Sequence, residues 1–210
     1  MSIPKSFLRT LETFKTSQIT GLYVGRSPIN RVLKQIANFV TLGVFNKKQQ
    51  ELGYDDVYHL YLLVKVRHEN RDVILRLHKE AIVKFHELTD IEFKNLRHTE
   101  HRGFAIEFSG VTLGEFIQTI LDKNPHNEIF VYDVVTANCQ VFILKVLRSN
   151  NIVLPPEKKA LILQSVHELL ANSPTLANLF RKITDLGATV ESISGGATPL
   201  LGRGLTLHES

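Results

Sequence analysis

"VYHLYLLVKVRHENRDVILRLHKE", residues 57–80, places two apolar runs on either side of a short charged stretch. Side chains alternate along an extended chain. Tyr58, Leu60, Leu62 and Val64 therefore share one face, while Val57, His59, Tyr61, Leu63 and Lys65 share the other. Enrichment in Val, Tyr and Leu between polar boundaries predicts a well-buried strand. "RHENRD" reads as a turn, and "VILRLHKEAIVKF" (73–85) supplies one or two further strands. If the runs form a hairpin, pairing Val66 with Val73 sets Glu80 opposite His59, and a two-residue slip sets His78 there. A one-residue slip turns the facing strand over, which excludes Lys79. His78 is the preferred neighbour of His59, and Glu80 is the alternative.

Further along, "RGFAIEF" (102–108) predicts another strand, and "NEIFVYD" (127–133) a short one. "TLGEFIQTILDK" (112–123) predicts a helix, with Thr112 and Glu115 spaced as a capping box before an apolar stripe. Toward the N-terminus, Phe7, Leu8, Leu11 and Phe14 recur at helical spacing. "GRSPINRVLKQIANFVTLG" (25–43) predicts a second helix over 27–41, capped by Ser27 with Pro28 in its first turn. Helical patterns return in "EKKALILQSVHELLAN" (157–172) and "SPTLANLFRKITDLG" (173–187), before a Gly-rich tail over 192–210. Helices, then clustered strands, then helices argue for an α+β fold. Its mainly antiparallel sheet packs on the helix that bears the lone cysteine. The expected organisation is a basic helical extension over 1–54, a core over 55–153, and C-terminal helices with the tail over 154–210.

Of the 210 residues, 43% are hydrophobic and 22% charged, as in soluble globular chains. A single cysteine excludes an internal disulfide framework, which fits a reducing, cytoplasmic setting. No apolar run approaches the roughly 18 residues of a membrane span, so no integral membrane segment is expected. Residues 1–50 carry eight Lys or Arg against one acid, Glu12, a local charge of +7 in a chain of +4. That arm is a candidate contact for an anionic surface, whether nucleic acid or lipid.

"TANCQVFILKVL" (136–147) puts Cys139, Phe142, Ile143, Val146 and Leu147 on one helical stripe that begins at the cysteine. Thr136 or Asn138 is placed to cap this helix. A thiol in the first turn feels the positive end of the helix dipole, which favours thiolate. The free N–H groups there suit an oxyanion formed during attack on a carbonyl. Such a thiol needs a base, and His59 is the histidine set deepest in an apolar strand. His78 or Glu80 would then orient its ring. His98 and His101 in "HTEH" lack a third ligand at convincing spacing, so no metal or organic cofactor is expected.

"VYHLYLLVKV" followed some way on by "ANCQVFI" resembles the His box and Asn-Cys motif of the circularly permuted, NlpC-type papain-like thiol hydrolases. That group includes lecithin:retinol acyltransferase, the HRAS-like suppressor phospholipases and acyltransferases, and related peptidases and viral proteins. "GYDDVYHLYL" also looks like members from large DNA viruses and microbial eukaryotes. The resemblance covers residues 55–150. It implies Cys139 as nucleophile, His59 as base and a polar third residue on the neighbouring strand. Implied substrates are protein, peptide or lipid acyl groups, and the setting is host cytoplasm or virion if the chain is viral. The chain departs from the acyltransferases at Gln140 and Val141, where Glu-His is commoner, which bears on acyl transfer more than on thiol chemistry. The expected function is a peptidase- or amidase-like thiol hydrolase. A non-catalytic virion or interaction protein, a lipid-directed acyl hydrolase and a nucleic-acid-binding module are the alternatives.

Overall fold

The computed structural model describes residues 3–28, 58–80, 82–100, 102–131 and 138–163. The 57–80 stretch folds as the expected hairpin: β2 (Tyr58–His68) and β3 (Arg71–Lys79) pair antiparallel with Val66 opposite Val73. The chain reverses at Glu69, which takes a positive φ of 53° in the two-residue turn. β3 turns again into β4 (Val83–Glu87). On the other side of β2 lies β1 (Gln18–Pro28), which also pairs with β5 (Phe104–Ile106). The result is one antiparallel sheet in the order β4-β3-β2-β1-β5. Among the described residues five α-helices accompany it: α1 (Lys5–Phe14), α2 (Asp90–Thr99), α3 (Leu113–Lys123), α4 (Cys139–Ser149) and α5 (Pro156–Ile162). The expected α+β class with a mainly antiparallel sheet holds.

β2 is the centre of the molecule, and its unbroken burial from Leu60 to Val64 follows from cover on both faces. Leu60, Leu62, Val64 and Val66 join Leu75 and Leu77 of β3 in the main core. Phe7 and Phe14 of α1, Phe116 and Ile117 of α3, and Phe142, Ile143 and Val146 of α4 complete it. Tyr61 and Leu63 point the other way and meet Leu96 and Phe93 of α2. α3 begins at the expected Thr112–Glu115 capping box. α2 begins at a second one, in which Thr89 Oγ1 accepts from the Glu92 N–H and the Glu92 carboxylate accepts from Thr89.

Two expectations give way. Residues 18–28 are a strand rather than part of a helical extension: Ser27 faces His59 and Pro28 faces Tyr58 across the β1–β2 ladder. Ser27 is therefore no helix cap, and proline is tolerated because it sits at the strand's last position. The remainder of the expected 27–41 helix lies outside the described residues. In "NEIFVYD", residues up to Phe130 form a 3₁₀ turn, Pro125–Phe130, instead of a strand. Proline opens that turn, and buried Lys79 ties it down by donating from Nζ to the carbonyls of Ile129 (2.9 Å) and Val131. α5 realises only the start of the expected 157–172 helix, which ends at Ile162 with Leu163 already extended; residues 164–210 lie outside the described residues.

The basic character of the N-terminal segment is also redistributed. Lys5, Arg9 and Lys15 are exposed on or beside α1. Arg26, by contrast, is buried on β1, its guanidinium 4.0 Å above the Tyr58 ring and Nη1 donating to the Leu161 carbonyl at 2.9 Å. No helix among the described residues is long and apolar enough to cross a membrane.

Candidate active site

The β2–β3 ladder has its last rung at Tyr61–His78, and the residues beyond that rung on each strand gather at one end of the sheet. Extending the register sets Glu80 opposite His59, with His78 diagonal to it. Diagonal neighbours still reach one another when both side chains are long or aromatic. His59 Nε2 and His78 Nδ1 stand 3.0 Å apart as a hydrogen bond. Glu80 Oε1 lies 3.6 Å from the same His78 nitrogen, and its other oxygen takes a 2.6 Å ion pair from Lys84 Nζ. His78, Glu80 and His59 thus converge, and Lys84, opposite His78 on β4, anchors the group from outside. The preferred third residue and its alternative are both present at His59, although the register is the one that favours Glu80.

Burial governs the charge state of this cluster. It pushes His59 down to about 4, with Glu80 opposing and Arg76 assisting. His78 is driven well below the ordinary imidazole value by burial and then by the Arg76, His59 and Lys84 charges. Both rings are therefore neutral at neutral pH. Burial acts to raise the Glu80 carboxyl, but His59, Lys84 and Arg76 outweigh it and hold the group below its usual value, ionised. The His78 Nε2 is buried without a hydrogen-bond partner among the described residues.

Cys139 opens α4, as its stripe predicts. Asn138 is the cap: its Oδ1 accepts the N–H groups of Gln140 (3.0 Å) and Val141 (3.1 Å), while Thr136 lies outside the described residues. The rest of the stripe, Phe142, Ile143, Val146 and Leu147, is buried in the main core. The main-chain N–H groups of Leu60, Cys139 and Gln140 favour the anionic form of the thiol, although the Gln140 N–H also donates to Asn138 Oδ1. Leu60 is the residue next to His59, just beyond the last β2–β3 rung. Among the described residues no hydrogen bond joins the sulfur to an imidazole.

Burial works against the expected thiolate. Burial is the largest influence on Cys139 and raises its pKa, with Glu80 adding to it, despite the three N–H groups that favour the anion. The residue as a whole is half-buried, but the dipole at a helix start is weaker than the loss of hydration around sulfur. An ordinary thiol ionises near 8.5 and His59 near 4, so moving the proton from sulfur to imidazole costs about 6 kcal/mol before the attraction between the two new charges is counted. The resting pair is neutral thiol and neutral imidazole.

Lys79, excluded from the cluster by strand parity, indeed lies on the opposite face, buried near Cys139 and pushed down to about 8 by burial. Lys84 is the member of the group that sequence reasoning misses, although alternation in Val83-Lys84-Phe85 already sets it apart from its buried neighbours. His98 lies in the last turn of α2 and His101 lies outside the described residues. A cleft of about 550 Å³ opens on the α2 side, lined by Tyr23, Leu63, Ile74, Phe93, Arg97 and Glu100 among others. None of the four candidate residues lines it, so it does not locate the chemistry.

Comparison with protein-family models, with curated proteins and with solved structures gives no match.

Proposed function

We propose that the chain is a thiol hydrolase of peptidase or amidase type, with Cys139 as nucleophile, His59 as general base and His78, backed by Glu80, as the group that orients the base. The observation that carries the reading is the 3.0 Å His59–His78 pair at the end of the sheet where the Cys139 thiol meets the Leu60 N–H. With Nε2 turned to His78, Nδ1 is the His59 atom left to accept the thiol proton. That requires the tautomer in which His59 Nε2–H donates to His78 Nδ1. Because a separate thiolate is costly, proton transfer and attack on the carbonyl proceed together. The oxyanion would be received by the Cys139 N–H, since the Gln140 and Val141 N–H groups already donate to Asn138, and water would release the acyl group from sulfur.

A second reading is an interaction protein that keeps this architecture without turnover. The protonated thiol without a hydrogen-bonded base favours it. Cys139 acylation by an activated ester, followed by mass spectrometry on the intact protein, separates the two. The hydrolase reading expects acylation well above that of a free thiol at the same pH, loss in Cys139→Ser, and slowing of at least about 100-fold in His59→Gln. Acylation at the free-thiol rate, unchanged in a folded His59→Gln variant, refutes it. Comparison of peptide amide with phospholipid ester substrates then distinguishes amide from lipid specificity.

A further inference from the structure

We propose that His59 Nε2, His78 Nδ1 and Glu80 Oε1 form a binding site for a zinc-class divalent ion. The three ligand atoms all lie within 4.8 Å of one another. Two of the separations are 3.0 Å and 3.6 Å. A tetrahedral zinc with bonds of about 2.0–2.1 Å sets its ligand atoms roughly 3.3 Å apart, between those two values. The third separation, between His59 and Glu80, is at most 4.8 Å, so side-chain rotation has to bring that pair in to complete the chelate.

The donor chemistry and the support agree. Two imidazoles and one carboxylate are a ligand set that zinc accepts, leaving a fourth position open. In the hydrogen-bonded pair His78 Nδ1 is already a lone-pair acceptor; only the His59 proton has to move, from Nε2 to Nδ1, for both ligating atoms to be lone-pair donors. His78 and Glu80 sit two residues apart along one chain and His59 comes from the adjoining strand, so the sheet itself fixes the spacing. Lys84 holds Glu80 Oε2 at 2.6 Å and leaves Oε1 turned to His78, the outer contact by which ligating carboxylates are aimed. Lys84 and Arg76 oppose the incoming charge, so exchange is favoured over permanent occupancy.

The binding site stands on this geometry alone. Its consequence rests on the thiol-hydrolase reading: an ion on His59 removes the base and silences Cys139 reversibly.

Co²⁺ is the probe, titrated into the full chain and followed by its visible absorption, with Zn²⁺ displacing it. The expected result is saturable 1:1 uptake, lost in His59→Gln and His78→Asn and weakened at least about tenfold in Glu80→Gln. Glu80→Gln keeps side-chain volume at a half-buried position, so it reports even if a histidine variant does not fold. His98→Gln serves as the surface control and should bind like the parent. No saturable uptake, or uptake that survives Glu80→Gln and His78→Asn, overturns the site. Acylation of Cys139 with and without Zn²⁺ separates the two readings: metal uptake with His59-independent acylation sinks the hydrolase and leaves the metal site standing. Uptake that leaves a His59-dependent acylation untouched sinks the silencing.

Discussion

Lowering the pH from 7 to 5 loads the unfolded chain with protons that the folded chain refuses at His59 and His78. A free histidine binds its proton from about pH 6.5 downward, whereas burial holds His59 to about 4. A depressed folded-state value means stability that is full above the unfolded pKa and is lost as pH falls toward the folded one. Integrated to pH 5, His59 alone costs about 2 kcal/mol, and His78, shifted the same way, brings the pair to about 2–4 kcal/mol. That is a large part of the roughly 5–15 kcal/mol typical of a domain. The ionised Glu80 also loses stabilisation on acidification, but from about pH 4.3 downward, below this window. His86, shifted down by burial as well, is present in parent and variant alike and cancels. The assay is urea unfolding at pH 7 and pH 5 of the parent chain and of His59→Gln/His78→Gln. The parent should lose about 2–4 kcal/mol more than the double variant over that interval. Parallel profiles would refute the claim that both rings are buried neutral. A parent more stable at pH 5 would mean that the pair holds a shared proton.

Other substitutions test the architecture. Gly25→Ala drives a Cβ into the Tyr61 ring, and should cost about 1–3 kcal/mol in urea unfolding. The same change in a Tyr61→Leu background should cost clearly less, and equal costs would show that the ring is not the obstacle. Asn138→Ala removes the cap from two N–H groups of α4 and should cost about 1 kcal/mol, with a matching rise in amide exchange at Gln140 and Val141. Phe116→Ala empties a fully buried position and should cost about 3–5 kcal/mol by thermal or urea unfolding. Lys79→Met leaves the Ile129 and Val131 carbonyls without their donor, so amide exchange over 125–131 should accelerate while the Val66–Val73 region stays protected.

Much of this arrangement is written locally. The period-two pattern of 57–80, the Thr112–Glu115 box and the stripe from Cys139 each state their element outright, because both the cue and its consequence lie within a few residues. β1 is different. "QITGLYVGRSP" contains two glycines and ends in Ser-Pro before an apolar run, so local cues point to a helix start. Its strand state is set by pairing with β2 and β5, contacts that no window of about 11–18 residues contains. Thr89-x-x-Glu92 announces α2, but its weakly apolar sequence gives that helix only Leu96 as a buried residue. At the site, parity alone selects His59, His78 and Glu80 and rejects Lys79. Register and the strength of burial are tertiary outcomes, which is why the thiol's upward shift is invisible in the helix-start motif.

β1 also decides how the protein can be cut. It lies between β2 and β5, and its Leu22 stands opposite Val64 on one side and Ile106 on the other. A truncation placed at residue 54 would strip the sheet of an interior strand and take away the partner of β5. The positive N-terminal segment is therefore best neutralised by charge reversal at Lys5, Arg9 and Lys15, not by deletion. The same layout delays assembly: the hairpin of β2 and β3 can close as soon as it leaves the ribosome, while β1, made earlier, waits for β2 and is paired on both edges only once β5 emerges.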